Sequence, residues 1–511
     1  MFSATTTPHS NQLQHSLRLR RLALNTIWNV LGQAIPLVIA AFTIPVLIKR
    51  LGVDRFGVLT LAWALVGYFS LFDLGVGRAL TKVVSDKLAC HKDSELADAI
   101  WSGLAMMLVL GSLFAGLIGI SAHWIVSAIL RVPPALVAET TRSVYPLALC
   151  IPVITISTAL RGVLEAHHRF GLTNAVRIGL GAFNFLGPLV TSALAASIYP
   201  VVLVLTIGRL ISAFLYLYLC LQITPDLRSV REIRRDRCRE LLRVGSWMTV
   251  SNIASPVMVY LDRFLISAIL SVSIVAYYTT PFEVVTKLFI VPGAITSVLF
   301  PAFAALFVTN TTRFQDIYMR GLRGTLALMF PVVFLVVLFA PEAMRLWLGP
   351  EFQRISAPVL RWIAAGVLVN SVAQIPYVLL QAADRPDVTA KIHLVELPLY
   401  IAMVVLGIHS LGLTGAAIAW TVRLGLEALA LFILAGRLIL TQLSQRRFII
   451  VALAGIGLLA GACVPLSISA KIGFAILLLG AFAALVWRSI LQADEKLYLK
   501  AWLNRPALAR D

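Results

Sequence analysis

The sequence has 511 residues, of which 59% are apolar and 13% are charged, whereas a soluble domain is about 45–50% apolar and about 25% charged. The mean hydropathy is +0.89 and the formal net charge is +19. These values exclude a soluble enzyme, a disordered chain and a nucleic-acid-binding protein, and they predict an all-α, polytopic membrane protein. In such a protein, excess lysine and arginine is typical of cytoplasmic loops.

A polar tail of about 24 residues, ending in a cluster of arginines, precedes the first apolar run. This run is too long for the core of a signal peptide and lacks a small-residue cleavage site, so it predicts an uncleaved spanning helix. At about 20 residues per span, the chain supplies about 14 helices. The predicted spans are 25–49, 57–80, 99–127, 144–164, 174–196, 199–222, 245–270, 273–304, 322–347, 357–381, 391–410, 412–436, 448–468 and 471–491.

The distribution of positive charge supports this count. If the N-terminus is cytoplasmic, the cytoplasmic segments hold 30 of the 43 lysines and arginines, the opposite face holds 9, and 4 lie inside spans. We therefore expect a membrane protein of 14 spanning helices with both termini in the cytoplasm. The most basic loop, 223–244, is expected to anchor this topology and to contact anionic lipid.

The two halves of the chain contain a weak internal repeat. The matching segments are Leu51-Gly52-Val53 with Leu270-Ser271-Val272, His168-Arg169 and Thr173 with Asp384-Arg385 and Thr389, and Thr206 and Arg209 with Thr421 and Arg423. The repeat predicts two pseudo-symmetric six-helix lobes with a cavity between them, an organisation that suits a transporter. The expected divisions are a tail (1–24), an N-lobe (25–222), a linker (223–244), a C-lobe (245–440), two further helices (441–491) and a C-terminal tail (492–511).

Several charged residues fall inside the predicted spans, where each costs about 2.5–3.5 kcal/mol on insertion scales. Arg263, Lys287 and Arg423 are candidates for a cavity that binds an anionic group, because arginine pairs with phosphate oxygens in a fork and lysine acts as a point charge. The alternative is structural. Glu283 with Lys287, and Arg423 with Glu427, have the i,i+4 spacing of self-neutralising pairs.

Four acidic residues in the spans could carry a proton or a sodium ion in a coupled transport cycle. They are Asp262, Glu283, Glu396 and Glu427.

Three further positions are expected to serve structure or gating. Asp73 and Arg78 lie near the cytoplasmic end of the span 57–80, among glycines. Pro292 is one of three prolines in the span 273–304, which is therefore the span most expected to bend.

The sequence contains no pattern typical of an enzyme. It has no Walker loop, and its eight histidines and five cysteines show neither metal-ligand spacing nor a disulfide framework. We therefore expect no catalytic residue, no metal and no cofactor.

Three sets of segments carry a resemblance to a known family. They are IPVLIKRLGVDRFGVLTLA with FDLGVGRALTKVVSD, LDRFLISAILSVSIVAYYTTPFEVV with VPGAITSVLFPA, and LGLTGAAIAW. Over residues 22–440 the chain resembles the polysaccharide-biosynthesis branch of the multidrug/oligosaccharidyl-lipid/polysaccharide exporter superfamily, which includes the O-antigen flippases.

The resemblance implies that the protein moves an undecaprenyl-pyrophosphate-linked oligosaccharide to the periplasmic leaflet by alternating access. This unit would serve the synthesis of a surface polysaccharide such as O-antigen or exopolysaccharide. The headgroup would cross through a cationic cavity while the polyprenyl tail stays among the membrane lipids. Arg263 and Lys287 lie in the region that the family associates with this cavity. Glycosyltransferases and a glycan polymerase are the partners that such a role implies.

Four alternatives remain open at this point. A drug exporter of the same superfamily should have an acidic, aromatic cavity, and a lipid II flippase would differ only in its substrate. A membrane glycosyltransferase, polymerase or ligase should have a long outward loop with carboxylates or histidine. A scaffold that transports nothing would not need its in-span charges.

Overall fold

A computed structural model of the chain describes residues 8–69, 76–90, 95–228, 236, 239, 257–306, 311–439, 464 and 466–490, with side chains described from residue 35 onward. Every regular element in these ranges is helical, which confirms the predicted all-α class. The physical reason is that lipid offers no hydrogen bonds, so each segment must pair its own backbone N–H and C=O groups.

The described helices group into two compact units, one within Met1–Lys287 and His393–Ala416 and the other within Leu288–Ile392 and Ala417–Asp511. The first unit contains α1 (Pro8–Tyr68), α2 (Val76–Ala89), α3 (Leu96–Ile120), a short helix with a π-helical turn (Ala122–Trp124 and Ile125–Ile129), α4 (Pro134–Ala166), α5 (Phe170–Leu194), α6 (Ile198–Ile223), α7 (257–269) and α8 (Val272–Val285). A 3₁₀ turn, Thr286–Phe289, follows α8.

The second unit contains α9 (Ile290–Leu306), α10 (Thr311–Leu338), α11 (Ala340–Leu348), α12 (Pro350–Ala382), both ends of α13 (Pro386–Ile439), and α14 (Ile468–Leu485) with a π-helical turn (Val486–Ile490). The middle of α13, His393–Ala416, belongs to the first unit. Among the described residues, nine segments are long and apolar enough to cross a membrane. The predicted span 448–468 lies almost entirely outside the described residues. The predicted lobe boundaries stay a prediction.

Two long helices each contain two predicted spans. Gly52 interrupts α1 with φ 78° and ψ 163°, and Gly412 interrupts α13 with φ 61° and ψ −140°. These conformations suit glycine, because a Cβ atom makes a positive φ unfavourable. Each glycine is therefore a one-residue turn between two spans, which explains why the loops at these positions are so short.

The internal repeat is visible in the local geometry of two helix ends. His168 and Asp384, which the sequence pairs, both have positive φ, 57° and 58°. The hydroxyls of Thr173 and Thr389 each donate to the carbonyl three residues earlier at 2.9 Å. The two turns thus share their backbone conformation and their capping hydrogen bond.

A second repeated contact joins neighbouring helices in the same way in each half. The Thr206 hydroxyl donates to the carbonyl of Pro146 at 3.1 Å, and the Thr421 hydroxyl donates to the carbonyl of Trp362 at 2.7 Å. These threonines are the pair matched by sequence, so the repeat extends from local turns to helix packing.

The helices expose large apolar side chains, as a lipid-facing surface requires. Phe42 is 75% exposed and Phe214 is 68% exposed, whereas small and branched residues of α3, α4 and α6 form a buried core. A soluble protein rarely exposes apolar patches on this scale. The exposed faces are therefore consistent with a bilayer environment.

In the second unit, α14 is attached to α11 by a buried ion pair. Lys471 is 4% exposed, and its Nζ donates to both carboxylate oxygens of Glu342 at 2.8 and 3.0 Å. Breaking a buried pair leaves a charge without its partner, which costs about 3–5 kcal/mol when both groups are enclosed. Glu342 is 33% exposed, so a smaller cost is appropriate here.

We expect Lys471→Met to lower the free energy of unfolding by about 1–3 kcal/mol, which thermal unfolding of the detergent-solubilised protein measures. Lys391→Met is the matched control, because Lys391 is 76% exposed and its pair with Asp387 lies in solvent. Equal effects of the two substitutions would contradict a structural role for the buried pair.

Candidate substrate-binding cavity

The first unit encloses a cavity of about 310 Å³. Its walls come from both halves of α1, from α5 and α6, and from α7, α8 and the 3₁₀ turn that follows. The polar and aromatic residues that line it are Phe56, Thr60, Trp63, Asn184, Phe185, Arg209, Tyr260, Arg263, Thr279, Thr280, Glu283 and Lys287. A cavity with three cationic side chains and one carboxylate is unusual among apolar helices, because each charge is costly there.

The structure brings three of the predicted site residues together on one wall. The Arg263 guanidinium donates from Nη2 to Glu283 Oε1 at 2.8 Å, and Lys287 Nζ lies 3.5 Å from Glu283 Oε2. Glu283 and Lys287 are each 41% exposed, whereas Arg263 is 1% exposed. Lys287 is therefore the accessible cation of this wall, and Glu283 covers Arg263.

Arg263 is held rigidly. Its guanidinium carbon lies 4.9 Å from the ring centroids of both Tyr260 and Phe282, so two aromatic faces stabilise its charge. The neighbouring Asp262 accepts the backbone N–H of Arg263 at 2.8 Å and the Tyr278 hydroxyl at 2.5 Å. Asp262 is fully buried and does not line the cavity, so its predicted role in ion coupling stays a prediction.

The segment that carries Glu283 and Lys287 changes its helical form. After Val285 the chain makes the 3₁₀ turn Thr286–Phe289, and the α-helix resumes at Ile290. A 3₁₀ stretch within a longer helix often marks a hinge. The structure thus interrupts the span that the sequence expects to bend, and the 3₁₀ turn ends three residues before Pro292, which is buried in α9.

Arg209 also lines the cavity, although it is not among the predicted site residues. It comes from α6, and its Nη2 donates to Asn184 Oδ1 of α5 at 3.3 Å. An arginine within an apolar span was the available signal. The cavity position of Arg209 depends on the packing of α5 and α6 against α1, which the sequence does not reveal. This packing brings Arg209, Asn184 and Trp63 to one cavity.

Among the described residues, the other predicted site residues do not line this cavity. In the second unit, Arg423 Nη1 lies 3.8 Å from Glu427 Oε2, and both side chains are nearly buried. Glu396 is buried in α13. Arg78 is exposed on α2, and Asp73 lies outside the described residues. The functional roles assigned to these five residues stay predictions.

Several contacts join α1, the segment before α4 and the α7–α8 turn, and we call them the α1–α8 contact. The hydrogen bonds are Ser273 Oγ to Asp54 Oδ1 at 2.5 Å, Arg131 Nη1 to the Ile269 carbonyl at 2.6 Å, and Ser267 Oγ to the Leu130 carbonyl at 2.7 Å. Gly57 packs directly against the backbone of Val272, where a Cβ atom would overlap the carbonyl. Gly57 lies one helical turn from Thr60, which lines the cavity.

Residues 22–307 match the polysaccharide biosynthesis protein family. The chain is 33% identical over 421 residues to a putative O-antigen transporter of Shigella flexneri, an alignment that covers 80% of this chain and 96% of that protein.

Solved membrane transporters share the fold. The lipid II flippase MurJ, in an inward closed conformation, aligns with a TM-score of 0.69 at 13% identity, over 92% of this chain and all of that one. An inward-facing multidrug resistance transporter of the MATE family aligns with a TM-score of 0.67 at 15% identity, over 81% of this chain and 94% of that one.

Proposed function

Because this chain belongs to the polysaccharide biosynthesis protein family, we propose that it is a flippase for an undecaprenyl-pyrophosphate-linked oligosaccharide. It would carry this unit from the cytoplasmic to the periplasmic leaflet of the bacterial inner membrane, by alternating access, for assembly of a surface polysaccharide. The observation that carries the proposal is the cavity whose wall combines Arg209, Arg263 and Lys287 with a single carboxylate, Glu283.

The chemistry of the substrate fits this cavity. A pyrophosphate offers several anionic oxygens, which an arginine fork and a lysine ammonium bind by charge-assisted hydrogen bonds. The sugars need a polar path, which the hydroxyls, amide and charges of the wall supply, while the polyprenyl tail stays in lipid. With an inside-negative potential, outward movement of the anion gains about 2.3 kcal/mol per charge per 100 mV.

Glu283 gives the cations of the site a counter-ion before substrate binds. Without substrate, its carboxylate pairs with Arg263 and Lys287, so the buried guanidinium is not left without a counter-ion. An entering pyrophosphate would meet the accessible Lys287 first and then replace Glu283 at Arg263. When the pyrophosphate replaces Glu283 as the partner of Arg263, Glu283 is released. This release would couple substrate binding to a rearrangement of the 3₁₀ turn that follows Glu283.

The α1–α8 contact gives the proposed transport a direction. With the N-terminus in the cytoplasm, the turns at Gly52, Leu130 and Ser271 face the periplasm, so the hydrogen bonds there would close the cavity on the periplasmic side. Substrate would then enter from the cytoplasmic leaflet. Glycosyltransferases that build the lipid-linked unit would act before this step, and a polymerase would use its product.

The proposal is tested first in cells. We expect removal of the gene to trap lipid-linked oligosaccharide on the cytoplasmic leaflet, where a lectin or glycosidase added to spheroplasts cannot reach it. Unchanged exposure of these units would contradict the proposal.

Purified protein in liposomes tests the substrate. We expect it to accelerate transfer of a fluorescent pyrophosphate-linked oligosaccharide between leaflets. Acceleration of lipid II alone would instead identify a lipid II flippase, and acceleration of neither lipid would exclude both assignments.

A further inference from the structure

We propose that the cavity wall formed by Trp63, Asn184 and Phe185 is a subsite for the sugar ring attached directly to the pyrophosphate. This inference rests on the proposed function and deepens it. The ligand class is a pyranose, held against an aromatic surface and beside the cationic wall that binds the anion. Nothing in the family assignment identifies which residues select the sugar.

The aromatic part of this subsite is fixed in place. Trp63 is half-buried, lines the cavity, and packs with its ring 5.2 Å from that of Phe185 and 6.1 Å from that of Phe56. The C–H bonds on one face of a pyranose carry partial positive charge and favour the negative face of an aromatic ring. A small inorganic anion gains nothing from such a surface, so the wall indicates a ligand with an apolar face.

Polar groups at and beside this wall need hydrogen-bond partners. The indole N–H of Trp63 and the hydroxyl of Thr279 are buried and have no hydrogen-bond partner within the described residues. Buried polar groups in folded proteins are almost always paired, so two unpaired groups beside one cavity point to a ligand that completes them. Asn184 uses Oδ1 to accept from Arg209, so its amino group can still donate to a sugar hydroxyl.

The size of the cavity limits how much of the glycan it holds. At about 310 Å³ it lies at the lower end of the range for ligand sites, about 300–1,000 Å³. It has room for a pyrophosphate with about one sugar ring, and not for a complete oligosaccharide. Selection at this wall would therefore act on the first sugar and tolerate differences in those farther from the lipid.

The test compares two soluble probes by calorimetric titration of the full-length protein in detergent. One probe is farnesyl pyrophosphate, and the other is farnesyl pyrophosphate carrying one N-acetylglucosamine. We expect Trp63→Ala to lower the ratio of sugar-bearing to sugarless affinity by about five- to tenfold. Trp124→Ala is the matched control, because Trp124 is 61% exposed and does not line the cavity, and it should leave the ratio unchanged.

Two further variants keep the test decisive if Trp63→Ala fails to fold. Trp63→Phe keeps an aromatic ring and removes the N–H group, and Asn184→Ala removes the amide, so each should lower the ratio by a smaller factor. An unchanged ratio in every folded variant would overturn the sugar subsite alone. Failure of both probes to bind the unaltered protein would instead overturn the anion site on which the proposed function depends.

Discussion

Arg263→Ala is expected to abolish transport of the lipid-linked oligosaccharide and to lower the affinity for farnesyl pyrophosphate by about thirtyfold or more. The reason is that Arg263 is the most rigidly held cation of the cavity, fixed between Tyr260 and Phe282. Removing it also leaves Glu283 with Lys287 as its remaining partner, so the carboxylate competes more strongly with the anion for that lysine. The measurements are the liposome transfer assay and calorimetric titration of the folded variant.

Two controls separate binding chemistry from folding. Arg345→Ala removes an exposed arginine of α11 and should leave both measurements unchanged. Arg263→Lys keeps the charge but loses the two-pronged geometry, so it should retain weak binding. Normal transport by a stable Arg263→Ala protein would remove this residue from the substrate site.

Glu283→Gln should raise the affinity for farnesyl pyrophosphate, whereas Arg263→Ala should lower it. The substitution keeps the shape of the side chain and removes the charge that competes with the anion for Arg263 and Lys287. We therefore expect tighter binding of farnesyl pyrophosphate together with slower transport, because release becomes more difficult. A loss of affinity as large as that of Arg263→Ala would show that Glu283 serves to hold the cations in place instead.

The sequence predicts the membrane helices well because hydropathy and charge act over whole segments. Runs of about 20 apolar residues must form spans, and the alternation of basic loops constrains their number. The short turns at Gly52 and Gly412 and the repeated turns at His168 and Asp384 follow from local chemistry that the sequence displays directly. What segment-level patterns do not specify is which face of each helix meets which neighbour.

The candidate site contains residues that the sequence indicates and residues that only the packing of the helices identifies. Lys287, Glu283 and Arg263 line one cavity, and Glu283 and Lys287 also pair at i,i+4, so their roles in transport stay predictions. Asp262 points away from its neighbour Arg263, since successive residues on a helix are about 100° apart. In the sequence, nothing distinguishes Trp63 from other tryptophans of a membrane protein. It lines the cavity because α5 packs on α1.

The second large effect is expected at the α1–α8 contact, where Gly57→Leu should separate the two helices and reduce transport about tenfold. A side chain at this position has no space, because even its Cβ atom would overlap the carbonyl of Val272. Overpacking of a tight contact typically costs about 1–3 kcal/mol, which shifts an equilibrium between closed and open forms by about fivefold to 150-fold. The hydrogen bond between Ser273 and Asp54 would then lengthen or break.

Access to the cavity can be measured directly with a cysteine at Val284, a neutral residue of the wall, in a protein whose native cysteines are replaced. We expect Gly57→Leu to increase labelling of this cysteine by a membrane-impermeant maleimide added from the periplasmic side. Gly116→Leu is the matched control, because a Cβ atom there meets nothing within 4 Å. Unchanged labelling with normal transport would show that α1 and α8 need not come together at Gly57, and the α1–α8 contact would then not act as a gate.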